Sequence, residues 1–171
     1  MDAKYLLNIG ELIPRKNQET LIRAVAKIDG TYLTIAGKGV LYNELSALIT
    51  ELGVDNRVKL LGYRSDISEL CKACDIFAFP SFHEGLPVSV MEAMASGLPC
   101  VVSRIRGNTD LIDEKGGVLF DPHSVDECAT SLQNLIEKDL TIMGKNNSKK
   151  IEKFSVITVM ERMKEIYELP S

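Results

Sequence analysis

Apolar residues along this chain change their period repeatedly. Short, largely apolar runs of strand length fall at residues 5–9, 32–36, 58–61, 76–79, 100–102 and 118–120. Amphipathic segments at helical spacing lie between them. Leu41, Leu45, Leu48, Ile49 and Leu52 share one helical face, and so do Val125, Cys128, Ala129, Leu132, Leu135 and Ile136. Strands apolar at nearly every position are buried on both faces, as in parallel sheets flanked by helices. Each connection is long enough to hold the crossover helix that parallel strands require. The first three strands run into Gly10, Gly37 and Gly62, residues suited to a tight strand-to-helix exit. The pattern predicts an α/β fold, a doubly wound six-stranded parallel sheet with helices on both faces.

The tail is helical only. Segments are expected near residues 124–138 and 140–153, then at about 156–168, where Val159, Met160, Met163, Ile166 and Tyr167 share a face. The basic, polar stretch 145–150 reads as a solvated turn between helices. No repeat, linker or low-complexity segment interrupts the chain, so one domain is expected over 1–171.

Composition narrows the function. With 171 residues, 45% of them apolar and 26% charged, the chain has an ordinary globular make-up and enough length for a sizeable core. Twenty basic against 24 acidic side chains give a net charge of −4 with no basic stripe, which argues against a nucleic-acid partner. No run approaches the ~18 apolar residues of a membrane span. Met1-Asp2-Ala3-Lys4 does not open a secretion signal, and reduced thiols point to the cytosol. Cys71 and Cys74 form a C-x2-C, but a zinc site needs two further ligands. Cys100 stands alone, and His123 with Cys128 makes no ligand pair. The cysteines read as small buried residues.

In the common strand order 3-2-1-4-5-6, ligands bind at the carboxyl ends of strands 1 and 4, where the order reverses. That selects two loops, residues 10–17 and 80–87. Pro87 suits a first helical position, and the following helix would aim free N–H groups at the crevice, a site for a phosphate. Gly85 admits a ligand close to the backbone. Glu92 is the one charge in the run from Gly85 to Ser103, and its burial would demand a partner.

The stretch Ser81-Phe82-His83-Glu84-Gly85-Leu86-Pro87-Val88-Ser89-Val90-Met91-Glu92-Ala93-Met94-Ala95 resembles the E-x7-E motif of retaining nucleotide-sugar glycosyltransferases of group 1. The resemblance extends in order through Asn8-Ile9-Gly10 with Lys16, Ala36-Gly37-Lys38-Gly39, Leu61-Gly62-Tyr63, Gly97-Leu98-Pro99-Cys100-Val101-Val102 and Gly107-Asn108-Thr109-Asp110-Leu111-Ile112. It implies the C-terminal, Rossmann-like, donor-binding half of a two-domain GT-B enzyme. Residues 154–171 are then the closing helix that packs on the N-terminal, acceptor-binding half. It further implies that Glu84 contacts the donor sugar, with Gly10, Gly85, Leu86, Pro87 and Val88 lining sugar and phosphate. Glu92 receives the ribose hydroxyls, Lys16 stabilises the departing diphosphate, and Leu61, Gly62 and Tyr63 flank the base. No cofactor or metal is expected, since no D-x-D motif lies near the site. The expected donors are UDP-sugars, and the acceptor a saccharide or lipid-linked saccharide at the cytoplasmic membrane face, as in bacterial surface-polysaccharide synthesis.

One position departs from the pattern. Many members carry an arginine after the first glycine, where this chain has Glu11. Arg15, Arg104 or Arg106 is then the candidate second cation, unless Lys16 and the helix N-terminus suffice. His83 is expected to fix its loop through a hydrogen bond, and His123 to be an ordinary loop residue. Three other readings are weaker. An epimerase wants other carboxylate and histidine placements. A receiver-like regulatory module wants an acidic cluster after strand 1. A glycosidase wants two carboxylates flanking one bond.

Overall fold

The computed structural model describes residues 3–167; Met1, Asp2 and the end of the expected closing helix, residues 168–171, lie outside them. Six parallel strands form one sheet in the order β3-β2-β1-β4-β5-β6. They are β1 (Lys4–Ile9), β2 (Thr31–Ala36), β3 (Val58–Gly62), β4 (Ile76–Phe79), β5 (Cys100–Ser103) and β6 (Gly117–Phe120). A helix follows every strand: α1 (Gln18–Ala26), α2 (Tyr42–Glu51), α3 (Ile67–Lys72), α4 (Val88–Ala95), α5 (Asn108–Leu111) and α6 (Val125–Ile136). Then come α7 (Leu140–Ile151), a single 3₁₀ turn (Glu152–Phe154) and α8 (Val156–Tyr167).

Alternation along each strand divides the core in two. Leu6, Leu33, Ile35 and Ile76 meet Leu21, Ile22 and Val25 of α1, Leu45, Leu48 and Ile49 of α2, and Leu132 and Leu135 of α6. Leu7, Phe77, Phe79 and Val102 meet Cys71 of α3, Val90, Ala93 and Met94 of α4, Leu111 of α5 and Ile151 at the end of α7. Both faces are therefore covered, which is why β4 and β5 are buried at every position.

The glycines at the strand exits serve two needs. A Cβ on Gly37 would lie 1.9 Å from the Gly10 carbonyl oxygen, so the exits of β1 and β2 can approach only without a side chain. Gly62 instead has φ +70°, a left-handed backbone favouring glycine.

Residues 145–150 are not a turn. They lie inside α7, whose start is capped by Asp139 accepting from the Ile142 N–H at 3.0 Å. Gly144 and Asn147 dock the helix. A Cβ on Gly144 would stand 1.9 Å from the Gly97 carbonyl oxygen. Asn147, buried, donates to the carbonyls of Leu98 and Gly116, each at 2.7 Å. Tertiary contact overrides weak helix propensity here. By contrast, α8 buries no residue: Val159, Met160, Met163, Ile166 and Tyr167 are all exposed. No helix among the described residues is long and apolar enough to cross a membrane.

Candidate functional site at the β1/β4 switch point

β1 and β4 are hydrogen-bonded neighbours, and the sheet order reverses between them. Their exit loops are tied into one unit. The Phe82 N–H donates to the Arg15 carbonyl at 2.9 Å. Asn17 has the left-handed backbone at φ 54° and directs its Nδ2 to the carbonyls of Pro80 at 3.0 Å and Pro122 at 2.9 Å. Its Oδ1 accepts from the Thr20 hydroxyl, which fixes the amide orientation. Thus one buried side chain joins the loops after β1, β4 and β6.

This frame brings Lys16 and Glu84 together. Lys16 Nζ donates to Glu84 Oε1 at 2.7 Å and stands 4.9 Å from the centre of the Phe79 ring. Arg15 Nη1 reaches the same oxygen at 3.2 Å and the His83 carbonyl at 3.1 Å. The Glu84 side chain is only 9% exposed, against 46% for Arg15. Of the three candidate arginines, only Arg15 is in this cluster. Arg104 bonds to Glu127 and the Leu119 carbonyl, and Arg106 is exposed without an ion pair among the described residues. The bond expected of His83 is made by its carbonyl. His123 is more than a loop residue, since its ring stacks on Phe82 with centroids 4.9 Å apart.

Gly85 faces open space, with nothing within 4 Å of where its Cβ would be, and Leu86 and Val88 are exposed beside it. Pro87 is the extended cap before α4 (φ −77°, ψ 104°), one place earlier than expected. The N–H groups of Val90 and Met91 bond to the Pro87 carbonyl, which leaves those of Val88 and Ser89 as the free donors of the first turn. Donors so placed suit an anion. Behind them, Gly107 packs so close that a Cβ would lie 2.3 Å from the Gly85 carbonyl oxygen.

Glu92, further along α4, is exposed and has no ion-pair partner among the described residues. The expectation that burial would force a partner on it fails, because the helix presents this position to solvent. It lies near Cys71, whose thiol is pushed up mainly by burial and further by the Glu92 carboxylate, against a lowering bond from Ser96. At the ends of β1, β2 and β3, Gly10, Glu11, Gly37, Lys38, Tyr63 and Arg64 wall a pocket of about 340 Å³. Lys38 Nζ stands 5.5 Å from the centre of the Tyr63 ring, and Leu61 is partly exposed nearby.

The four cysteines are free, with Cys71, Cys100 and Cys128 buried but Cys74 only half-buried. Burial drives the Cys74 thiol up to about 11 and that of Cys128 to about 12. Among the described residues, no group of three or more His, Cys, Asp or Glu is placed to hold a metal ion.

Sequence reasoning missed Asn17 and the Phe82–His123 stack. Asn17 had a local signal, an asparagine directly before a helix with threonine three residues on. The stack joins residues distant in sequence and had none.

Comparison with known proteins adds to this geometry. Residues 1–154 match the family model for glycosyl transferases group 1. An Escherichia coli UDP-Gal:alpha-D-GlcNAc-diphosphoundecaprenol alpha-1,3-galactosyltransferase is 34% identical over 169 residues, 93% of this chain and 44% of the relative. The lipopolysaccharide core biosynthesis glycosyltransferase LpsE of Rhizobium meliloti is 32% identical over 136 residues, 79% of this chain and 40% of the relative. The crystal structure of Anabaena HepE in complex with UDP superposes with a TM-score of 0.91 at 29% identity, covering 98% of this chain and 49% of that one. The chain thus spans less than half the length of these relatives.

Proposed function

This chain belongs to the group 1 glycosyl transferases, and from that membership we propose that it is the C-terminal, donor-binding half of a retaining enzyme using a nucleotide-diphosphate sugar. The observation that carries the reading is the Lys16–Glu84 pair at the switch point, with Glu84 on the loop that leads into the free Val88 and Ser89 N–H groups of α4. A cation and helix-terminal N–H groups together stabilise negative charge as it develops on a departing diphosphate, without a metal. Glu84, on the same loop as Gly85, takes the sugar. Glu92 takes the ribose hydroxyls, a task for which its exposure leaves both oxygens available. The 340 Å³ pocket beside Leu61, Gly62 and Tyr63 takes the base.

The donor is a UDP-sugar, in keeping with the galactosyltransferase from Escherichia coli and with UDP in HepE. The acceptor is a saccharide or lipid-linked saccharide of surface-polysaccharide synthesis at the cytoplasmic face of the membrane. It is held by an N-terminal half, against which the exposed apolar face of α8 packs. Closure of two halves supplies the alignment that transfer needs. These residues alone are therefore expected to bind donor without turning it over at the rate of the complete enzyme.

Calorimetry with UDP and uridine tests the reading. Lys16→Ala should weaken UDP roughly ten- to hundredfold, the loss of a charged hydrogen bond of ~1.5–3 kcal/mol, while sparing uridine. Equal losses on both ligands would move Lys16 away from the diphosphate.

A further inference from the structure

Two cations converge on one carboxylate oxygen in this site. Lys16 Nζ and Arg15 Nη1 lie 2.7 and 3.2 Å from Glu84 Oε1. Arg15 is steadied by the His83 carbonyl and, through its own carbonyl, by the Phe82 N–H. Arg64 is engaged with Asp66 and Arg104 with Glu127, and Arg106, exposed without an ion pair among the described residues, makes no contact with Glu84. A diphosphate brought to Lys16 carries more negative charge than Glu84 and seeks the same donors. The carboxylate cannot keep both cations and also accept a sugar hydroxyl through that oxygen.

We propose that Glu84 and the donor diphosphate compete for Lys16 and Arg15, that Arg15 is the second cation the diphosphate recruits, and that this exchange frees Glu84 for the sugar. The inference rests on the donor-binding reading above. It makes Glu84 a brake on the affinity for nucleoside diphosphate alone and a gain once the sugar is attached, so that intact donor is favoured over spent UDP. Arg15 directly precedes Lys16 in the same 3₁₀ turn, Pro14–Lys16, so both can swing to the diphosphate without the loop unfolding.

The test is calorimetry of the chain with UDP and with uridine. Glu84→Gln keeps the shape but removes the competing charge, and should tighten UDP about three- to tenfold while leaving uridine unchanged. A structural defect would not produce a gain. Glu84→Asp, which keeps the charge but withdraws it from Lys16, should give a smaller gain and serves if the glutamine variant folds poorly. Arg15→Ala should weaken UDP about two- to fivefold and spare uridine, a modest loss because its side chain is half-exposed. Glu114→Gln removes an exposed carboxylate before β6, at the opposite ends of the strands, that makes no ion pair among the described residues, and should change UDP affinity less than twofold. If wild type binds UDP but the Glu84 variants bind it no tighter, or Glu114→Gln gives an equal gain, the competition is refuted and the donor reading stands. Failure of wild type to bind UDP overturns both.

Discussion

Replacing Asn17 by alanine should unsettle fold and site together. Its Nδ2 is the donor to the carbonyls of two buried prolines, Pro80 at 3.0 Å and Pro122 at 2.9 Å. Depriving a buried acceptor of its donor costs about 1–3 kcal/mol, so the pair is worth about 2–6 kcal/mol. Alanine also adopts the left-handed backbone at φ 54° less readily than asparagine, adding about 1 kcal/mol. The sum, about 3–7 kcal/mol, is a large share of the ~5–15 kcal/mol stability of a typical domain. Asn17→Gly removes the same bonds but relieves the backbone, so it should be less damaging than Asn17→Ala by about 1 kcal/mol. Urea unfolding followed by far-UV circular dichroism measures both variants against wild type. A loss under about 1 kcal/mol for Asn17→Ala would show that the three loops are held by something else, and the argument for a preformed switch-point site would fall with it.

Three further outcomes follow from particular contacts. Gly144→Ala should destabilise the chain by about 1–3 kcal/mol in the same urea assay, since its Cβ would meet backbone at 1.9 Å from the Gly97 oxygen; an unchanged midpoint would deny the docking of α7. In native protein at neutral pH, mass spectrometry after thiol alkylation should find Cys74 modified slowly and Cys100 and Cys128 untouched, with all four modified in denaturant; rapid labelling of Cys100 would contradict its burial. Lys150 holds the Asp113 carboxyl below its ordinary value, chiefly by a 2.7 Å bond, aided by the Lys115 and Gly116 N–H groups. This stabilisation is complete above the unfolded carboxyl pKa of about 3.9 and is lost as pH falls through the lower folded value. Lys150→Met should therefore be less stable at pH 7 by about 0.2–1 kcal/mol, a part-exposed pair, and the gap should close in acid; a gap that widens there would be contrary.

The strands were legible because burial on both faces writes itself as unbroken apolar runs, and 76–79 in particular coincides with β4. The crevice was legible from topology alone, since the order reverses at β1 and β4. Residues 145–150 misled because their polarity is local, whereas Asn147 earns its helical place from carbonyls of Leu98 and Gly116, 49 and 31 residues away. Glu92 misled for the opposite reason: an uncharged run around it suggested burial, but only three-dimensional placement shows that its side of α4 is open. That Arg15, and not Arg104, lies beside Glu84 likewise needed distances, because sequence gives each arginine the same chemistry.

Donor binding at the switch point requires that a nucleoside diphosphate bind there. Amide NMR shifts of the isotope-labelled chain titrated with UDP locate it directly. Saturable shifts are expected at Gly10 and Gly85 and at the Val88 and Ser89 amides that open α4. Shifts centred instead on Gly30 and Asn134, which line a pocket at the opposite ends of the strands, or no shift at millimolar UDP, would contradict it.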